Sequence, residues 1–265
     1  MNVFKHELRR NLMLTVVWSI VITGISAIVL SFYPVIQSDM NTYLQVLSNF
    51  PPALKSAMGI FTDLFTTTLG YYTFGLTLSL FFVGIHALIQ GIRIVSKEIQ
   101  DKTADFLMTK PVSRTSILSS KILASLTLLL ASCLFFSMSM LGMLTAISSE
   151  KLNINVFILL CIAVFYVQTV FFFIGLLVSI LAKRIRSVLP VALGIGFFFY
   201  ALSAFAVTSE SDKLRYLTPY EYIKPKYIIM NQSFEMPYFL LGFGIVLASL
   251  MISYYVYIHK DIHSV

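Results

Sequence analysis

Residues Ile154–Ala182 read INVFILLCIAVFYVQTVFFFIGLLVSILA, with no charged side chain anywhere in the run. About 20 residues of helix cover a hydrocarbon core of roughly 30 Å, so this stretch is longer than a crossing requires and should tilt or project beyond the bilayer. Its apolar residues are continuous rather than alternating. That pattern specifies a helix, whose backbone bonds close within the segment, and not a barrel strand.

Five further stretches read the same way: 12–33, 69–92, 117–147, 188–207 and 237–258. Composition agrees. Of 265 residues, 58% are hydrophobic and 12% charged, the latter about half the usual share for a soluble domain. Mean hydropathy is +0.86. These values exclude a soluble enzyme, a disordered chain, collagen and a coiled coil. The expectation is an all-α membrane protein with six transmembrane helices in a single transmembrane domain, 1–265. The first segment has a basic start (Lys5, Arg9, Arg10), but its apolar run is too long for a signal peptide and lacks a good cleavage site before Pro34, so it is read as a retained span. Cys133 and Cys161 both lie in apolar runs and offer no disulfide framework. The net charge of +7 reflects basic residues flanking spans, and no nucleic-acid partner is expected.

Counting Lys and Arg orients the chain. Lys5, Arg9 and Arg10, six residues in 93–121, Lys183, Arg184, Arg186 and Lys260 fall on one side. Lys55, Lys151, Lys213, Arg215, Lys224 and Lys226 fall on the other. The positive-inside rule then predicts a multi-pass protein of the cell membrane with both termini cytosolic. All twelve acidic residues are placed in loops, tails or span ends. Ion-coupled transporters and proton relays put ionisable groups at mid-depth; here the spans offer His86, read as a hydrogen-bonded packing residue. If the chain moves a substrate, the energy is expected from elsewhere.

Catalytic and metal motifs fail on inspection. Gly70–Thr77 reads GYYTFGLT, which meets the glycine spacing of a phosphate-binding loop but has Leu76 where lysine is needed. No ATP hydrolysis, catalytic residue or cofactor is expected of this chain. His259 and His263 have no third ligand nearby, so no metal is expected. Asn231-Gln232-Ser233 fits a glycosylation triplet of low specificity.

The loop 93–121 is long for a connection between spans and carries both signs of charge. Residues 97–108 suit a short helix, with Phe106, Leu107 and Met108 as an apolar end and Glu98, Asp101 and Asp105 as an acidic side. Lys110-Pro111 ends it, and Ser113 is placed to cap the next helix. Two readings are open: a helix resting on the membrane surface, or one docking into a partner's groove. The acidic groups favour the partner, because they make poor contacts with an anionic leaflet.

The run Glu98…Thr103-Ala104-Asp105-Phe106-Leu107…Pro111-Val112-Ser113-Arg114…Ile117…Lys121 resembles the cytosolic signature of ABC-2 type transporter permeases. Leu217-Thr218-Pro219-Tyr220 is similar to that family's turn before the last span, and Phe4–Arg10 to its amphipathic N-terminal helix. Lys102 departs from the glycine the family often carries. The resemblance implies a coupling helix between spans 2 and 3, with Glu98, Asp101, Thr103, Asp105, Phe106, Leu107 and Met108 contacting a separate ATPase. It further implies a complex of two ATPase subunits, which carry the ATP and Mg, with a second permease in a homodimer or heterodimer. It also implies export from the cell or inner leaflet, as in short bacterial permeases for peptides, toxins or antibiotic resistance.

Aromatic clusters (Phe81-Phe82, Phe171–Phe173, Phe197–Tyr200) and Met138, Met140 and Met143 suit an amphipathic substrate, most plausibly a peptide, with packing on helices or lipid as the alternative use. The competing functions are a secondary transporter or a regulatory membrane protein without transport. Loop 34–68 is expected to form two short amphipathic helices, around Tyr43–Leu47 and Leu54–Phe65, and loop 208–236 to re-enter the bilayer.

Overall fold

The computed structural model describes residues 3–51, 54–55, 58–60, 62–100, 113–148, 151–182, 185–209 and 211–259, with only the backbone at 97–100. Those residues form helices and turns, with no strand among them. The long helices are α1 (Val3–Ser31), α4 (Thr68–Gln100), α5 (Arg114–Ile147), α6 (Ile154–Leu181), α7 (Val188–Thr208) and α10 (Met236–His259). All six are long and apolar enough to cross a membrane. Short helices α2 (Tyr33–Ser38) and α3 (Met40–Ser48) follow α1, and α8 (Asp212–Arg215) and α9 (Pro225–Asn231) fill the connection before α10.

Helix α4 is the hub. It packs most extensively on α6 and also against α1 and α7, while α5 pairs with α1 and α10 with α6. Of the apolar stretch of α4, 78% is buried, against 17% in α7 and α10, which therefore form the rim. Two glycines permit the central crossing. A Cβ on Gly91 would collide with the Phe172 carbonyl, and one on Gly175 would sit 2.7 Å from the Leu88 carbonyl oxygen. In lipid there is no hydrophobic drive between helices, so close backbone approach at small residues supplies much of the association.

Helix α1 is amphipathic in the inverted sense. Glu7, Asn11, Thr15, Ser19 and Ser26 are buried, while Leu12, Met13, Val16, Val17 and Ile20 face outward. The buried stripe is bonded to its neighbours: Gln90 Nε2 donates to Thr15 Oγ1 (2.8 Å), Ser19 Oγ to Ser132 Oγ (2.8 Å), and Ser26 Oγ pairs with Ser79 Oγ (2.7 Å). The basic opening at 4–10 is not a separate element; it forms the first turns of the same helix.

In the connection between α1 and α4, α3 contains the expected Tyr43–Leu47 helix but buries none of its residues. The second expected helix is mostly turns over its described residues. The connection before α10 folds back against α4. Tyr220, in a 3-10 turn at Pro219–Glu221, donates its hydroxyl to the Phe81 carbonyl (3.2 Å). Phe81 lies thirteen residues into α4, about 20 Å along the helix axis.

Candidate functional site

The expected ATPase-facing residues Asp101, Thr103, Asp105, Phe106, Leu107 and Met108 lie outside the described residues, as does the stretch read as a coupling helix from 101 onward. Glu98 falls on the last turns of α4, which continues past Ile92 to Gln100 rather than ending with the apolar run. What the structure defines is the base formed by the helix ends that flank residues 101–112.

That base is bonded from five helices. On its far side α5 starts at Arg114, and Ser113 Oγ accepts from the Ser116 amide (3.2 Å), the cap expected from the sequence. Ser179 Oγ on α6 accepts from the Val95 and Ser96 amides of α4 (3.3 and 3.2 Å). Lys121 Nζ, buried inside α5, donates to the Ile94 carbonyl (2.8 Å) and lies 4.0 Å from Glu7 Oε1 of α1. The Glu7 carboxylate also accepts from Asn11 Nδ2 (3.3 Å) and pairs with Arg10 (3.1 Å). Arg114 donates to the Ile258 carbonyl of α10 (3.0 Å), and the Ser119 and Tyr254 hydroxyls share a bond of 2.6 Å. Both ends of the described chain, the end of α4 and the start of α5 therefore sit at one end of the bundle. The ion pairs there are buried and hydrogen-bonded, the condition under which burial of charge is sustained. The end of α4 is thus joined to α5 and α6 by short polar bonds, and through α5 to α1 and α10.

At the opposite end Arg215 is the organising charge. It is buried on α8 and makes two bonds to Glu235, at 2.6 and 2.8 Å. Its Nε donates to the Glu221 carbonyl (3.0 Å), and its guanidinium lies 3.7 Å from the centre of the Tyr238 ring. Burial works against the charge, but the Glu235 carboxylate outweighs it and holds the guanidinium above its ordinary pKa. Ser203 Oγ of α7 donates to the Glu221 carboxylate (2.6 Å), so this folded-back connection is stitched to α7 and to the start of α10. An open cavity of about 370 Å³ lies here, with Asp212, Glu221, Lys224 and Lys226 among its lining.

Between the two ends the aromatic clusters divide by use. Phe171, Phe172 and Phe173 are core residues, 0 to 4% exposed, packed within the bundle rather than bordering a path. Phe197 and Phe198 face outward. Phe81 joins Phe197, Tyr200 and Tyr220, with centroids 4.9, 4.8 and 6.5 Å away. Phe171 meets Tyr220 at 4.5 Å, so rings fill the space between α4, α6, α7 and the turn at Pro219–Glu221. Met140 is buried and Met138 exposed. His86 is fully buried and stacks on Trp18 at 5.9 Å, and neither ring nitrogen has a hydrogen-bond partner, so the bonded role expected for it is not made.

Charge counting along the sequence placed Lys121 and Arg215 in loops; both are buried and paired. The polar stripe of α1 was equally overlooked, although its recurrence at every fourth residue from Glu7 to Ser19 is visible in the sequence. Compared with known families, residues 1–262 match the model described as ABC-2 family transporter protein. No curated protein matches the chain.

Proposed function

This chain belongs to the ABC-2 family of transporter proteins, and from that premise we propose that it is the transmembrane permease of an ATP-driven exporter that moves an amphipathic substrate, most plausibly a peptide. Membership makes it a membrane transport component rather than the ATPase, and members of the family associate with an ABC ATPase. The finer reading is a cell-membrane complex of two permeases, identical or related, with two cytosolic ATPases that hold the ATP and Mg. Both termini of this chain are then cytosolic, as the Lys and Arg distribution favours.

The observation that carries the reading is the bonded base flanking residues 101–112. A helix there, continuing from Glu98 on the last turns of α4 with Asp101 and Asp105 on one side and Phe106, Leu107 and Met108 at its end, would deliver force from an ATPase into α1, α4 and α5 through Lys121 and Glu7. The absence of a charge at mid-depth in the sequence argues against an ion-coupled mechanism.

Phe106→Ala combined with Leu107→Ala should remove an apolar anchor worth on the order of 2–4 kcal/mol. The expected result is loss of copurified ATPase with the permease still folded and monodisperse. Retention of the ATPase at wild-type stoichiometry and coupling would overturn docking through these residues.

The substrate class is tested separately. ATPase activity of the reconstituted complex is titrated with amphipathic peptides, neutral lipids and simple salts. Stimulation is expected from the peptides. Stimulation by an ion alone would overturn the assignment, and stimulation by lipid alone would restrict it.

A further inference from the structure

A groove of about 570 Å³ opens between α1, α4 and the start of α7. Its walls are apolar along most of their length: Leu14, Val17 and Val21 from α1, Phe82 and Ile89 from α4, and Leu189 from α7, with Trp18 beside them. At one end the lining changes to Arg93, Arg186 and Ser187. Arg186 is exposed, Arg93 half-buried, and the Ser187 side chain makes no capping bond to α7. Rim helix α7 packs on α4, and α1 packs on α4 and α5, so the groove is the wedge left between two helices that lean on a common third.

Its dimensions relate it to one leaflet. From Phe82 to Arg93 is eleven residues of α4, about 16 Å along the axis, and half of a hydrocarbon core is about 15 Å. The guanidinium-bearing end is also the end that carries Lys5, Arg9 and the helix ends that flank residues 101–112, where the bundle leaves the bilayer. A ligand that fits must be apolar for the depth of one leaflet and anionic at the interface. Guanidinium groups match phosphate oxygens in planar, charge-assisted pairs, and basic pockets between helices at this depth suit anionic headgroups.

We propose that this groove is a binding site for one anionic phospholipid, with its phosphate at Arg93 and Arg186 and an acyl chain along Trp18 and Phe82. The lipid completes the contact between α1 and α7 that the protein leaves open. The site rests on the fold and on charge complementarity, and is independent of the exporter reading and of the peptide substrate.

The test uses a reporter already in place, since Trp18 is the single tryptophan of the chain. The full chain is reconstituted in phosphatidylcholine vesicles containing a fixed small fraction of brominated phosphatidylglycerol, or the same fraction of brominated phosphatidylcholine, and quenching of Trp18 is compared. Roughly thirtyfold enrichment of the anionic lipid at Trp18 is expected from two basic groups near the surface. Arg93→Gln with Arg186→Gln should reduce that preference to near unity. Equal quenching by the two brominated lipids in the wild-type protein would overturn the proposal, and this comparison needs no variant to fold. Inorganic phosphate and a free amphipathic peptide are the competing arms. Abolition of the preference by millimolar phosphate would reassign the arginines to a soluble anion, and saturable displacement of the lipid by the peptide would reassign the groove to substrate. Persistence of the preference against both supports a lipid site.

Discussion

Leucine in place of Gly91 should leave little folded protein. A Cβ alone would collide with the Phe172 carbonyl and lie 2.7 Å from the Leu176 amide nitrogen and 3.0 Å from the Gly175 carbonyl carbon. All three are backbone atoms of α6, which cannot rotate aside as a side-chain end would. Relief requires the two helices to part, and with them the fully buried Leu88, Ile92, Phe171, Phe172 and Leu176. Overpacking a core costs typically 1–3 kcal/mol where side chains can shift; with backbone on backbone the cost should exceed about 3 kcal/mol. Gly142 and Gly244 are matched controls, since a Cβ at either meets nothing within 4 Å. Gly142→Leu and Gly244→Leu should change the melting of the detergent-solubilised protein within about 0.5 kcal/mol. Similar yield and melting for the position-91 variant and these two would show that the crossing is wider than described.

The second large effect is expected at Arg215. Arg215→Met removes two charge-assisted bonds to Glu235, a bond to the Glu221 carbonyl and the stacking on Tyr238. It also leaves the Glu235 carboxylate, 18% exposed, without its counter-charge. Breaking one half of a buried pair costs about 3–5 kcal/mol; the partial exposure of Glu235 argues for the lower end. Arg215→Met combined with Glu235→Met should be less destabilised than the single change, because apolar replacement of both partners removes the stranded charge along with its mate. The check is a double-mutant cycle on thermal unfolding in one detergent. A double variant as unstable as the single would locate the loss in Glu221 and Tyr238 rather than in the pair.

The spans were legible because hydrocarbon imposes length and composition on every crossing, and runs such as Ile154–Ala182 admit one interpretation. The Ser113 cap was legible for a local reason, a hydroxyl just before a helix start and just after a proline. The extension of α4 from Ile92 to Gln100 was not, because Arg93, Lys97 and Glu98 resemble loop residues to any count of hydropathy. The burial of Lys121 and Arg215 was not legible on the same count. What buries them is Ile94 and Glu7 in one case and Glu235 and Tyr238 in the other. The partners of Lys121 lie on other helices and those of Arg215 across a turn, and no window along the chain brings them together. The candidate coupling residues rest on a resemblance alone, and the bonding of the helix ends that flank them could be read only in three dimensions.

The stripe on α1 has a consequence for the order in which the protein is made. Ser19 is synthesised 113 residues before its partner Ser132. At about 5–20 residues per second, the helix exists for roughly 6–23 s before that partner does. Carbonyls one turn back, at Asn11 and Thr15, lie within bonding distance of the Thr15 and Ser19 hydroxyls (3.0 and 2.7 Å) and need no other helix to accept from them. The first helix of the bundle is thus provisionally self-satisfied on the face it will later bury, and its assembly depends on chain not yet translated.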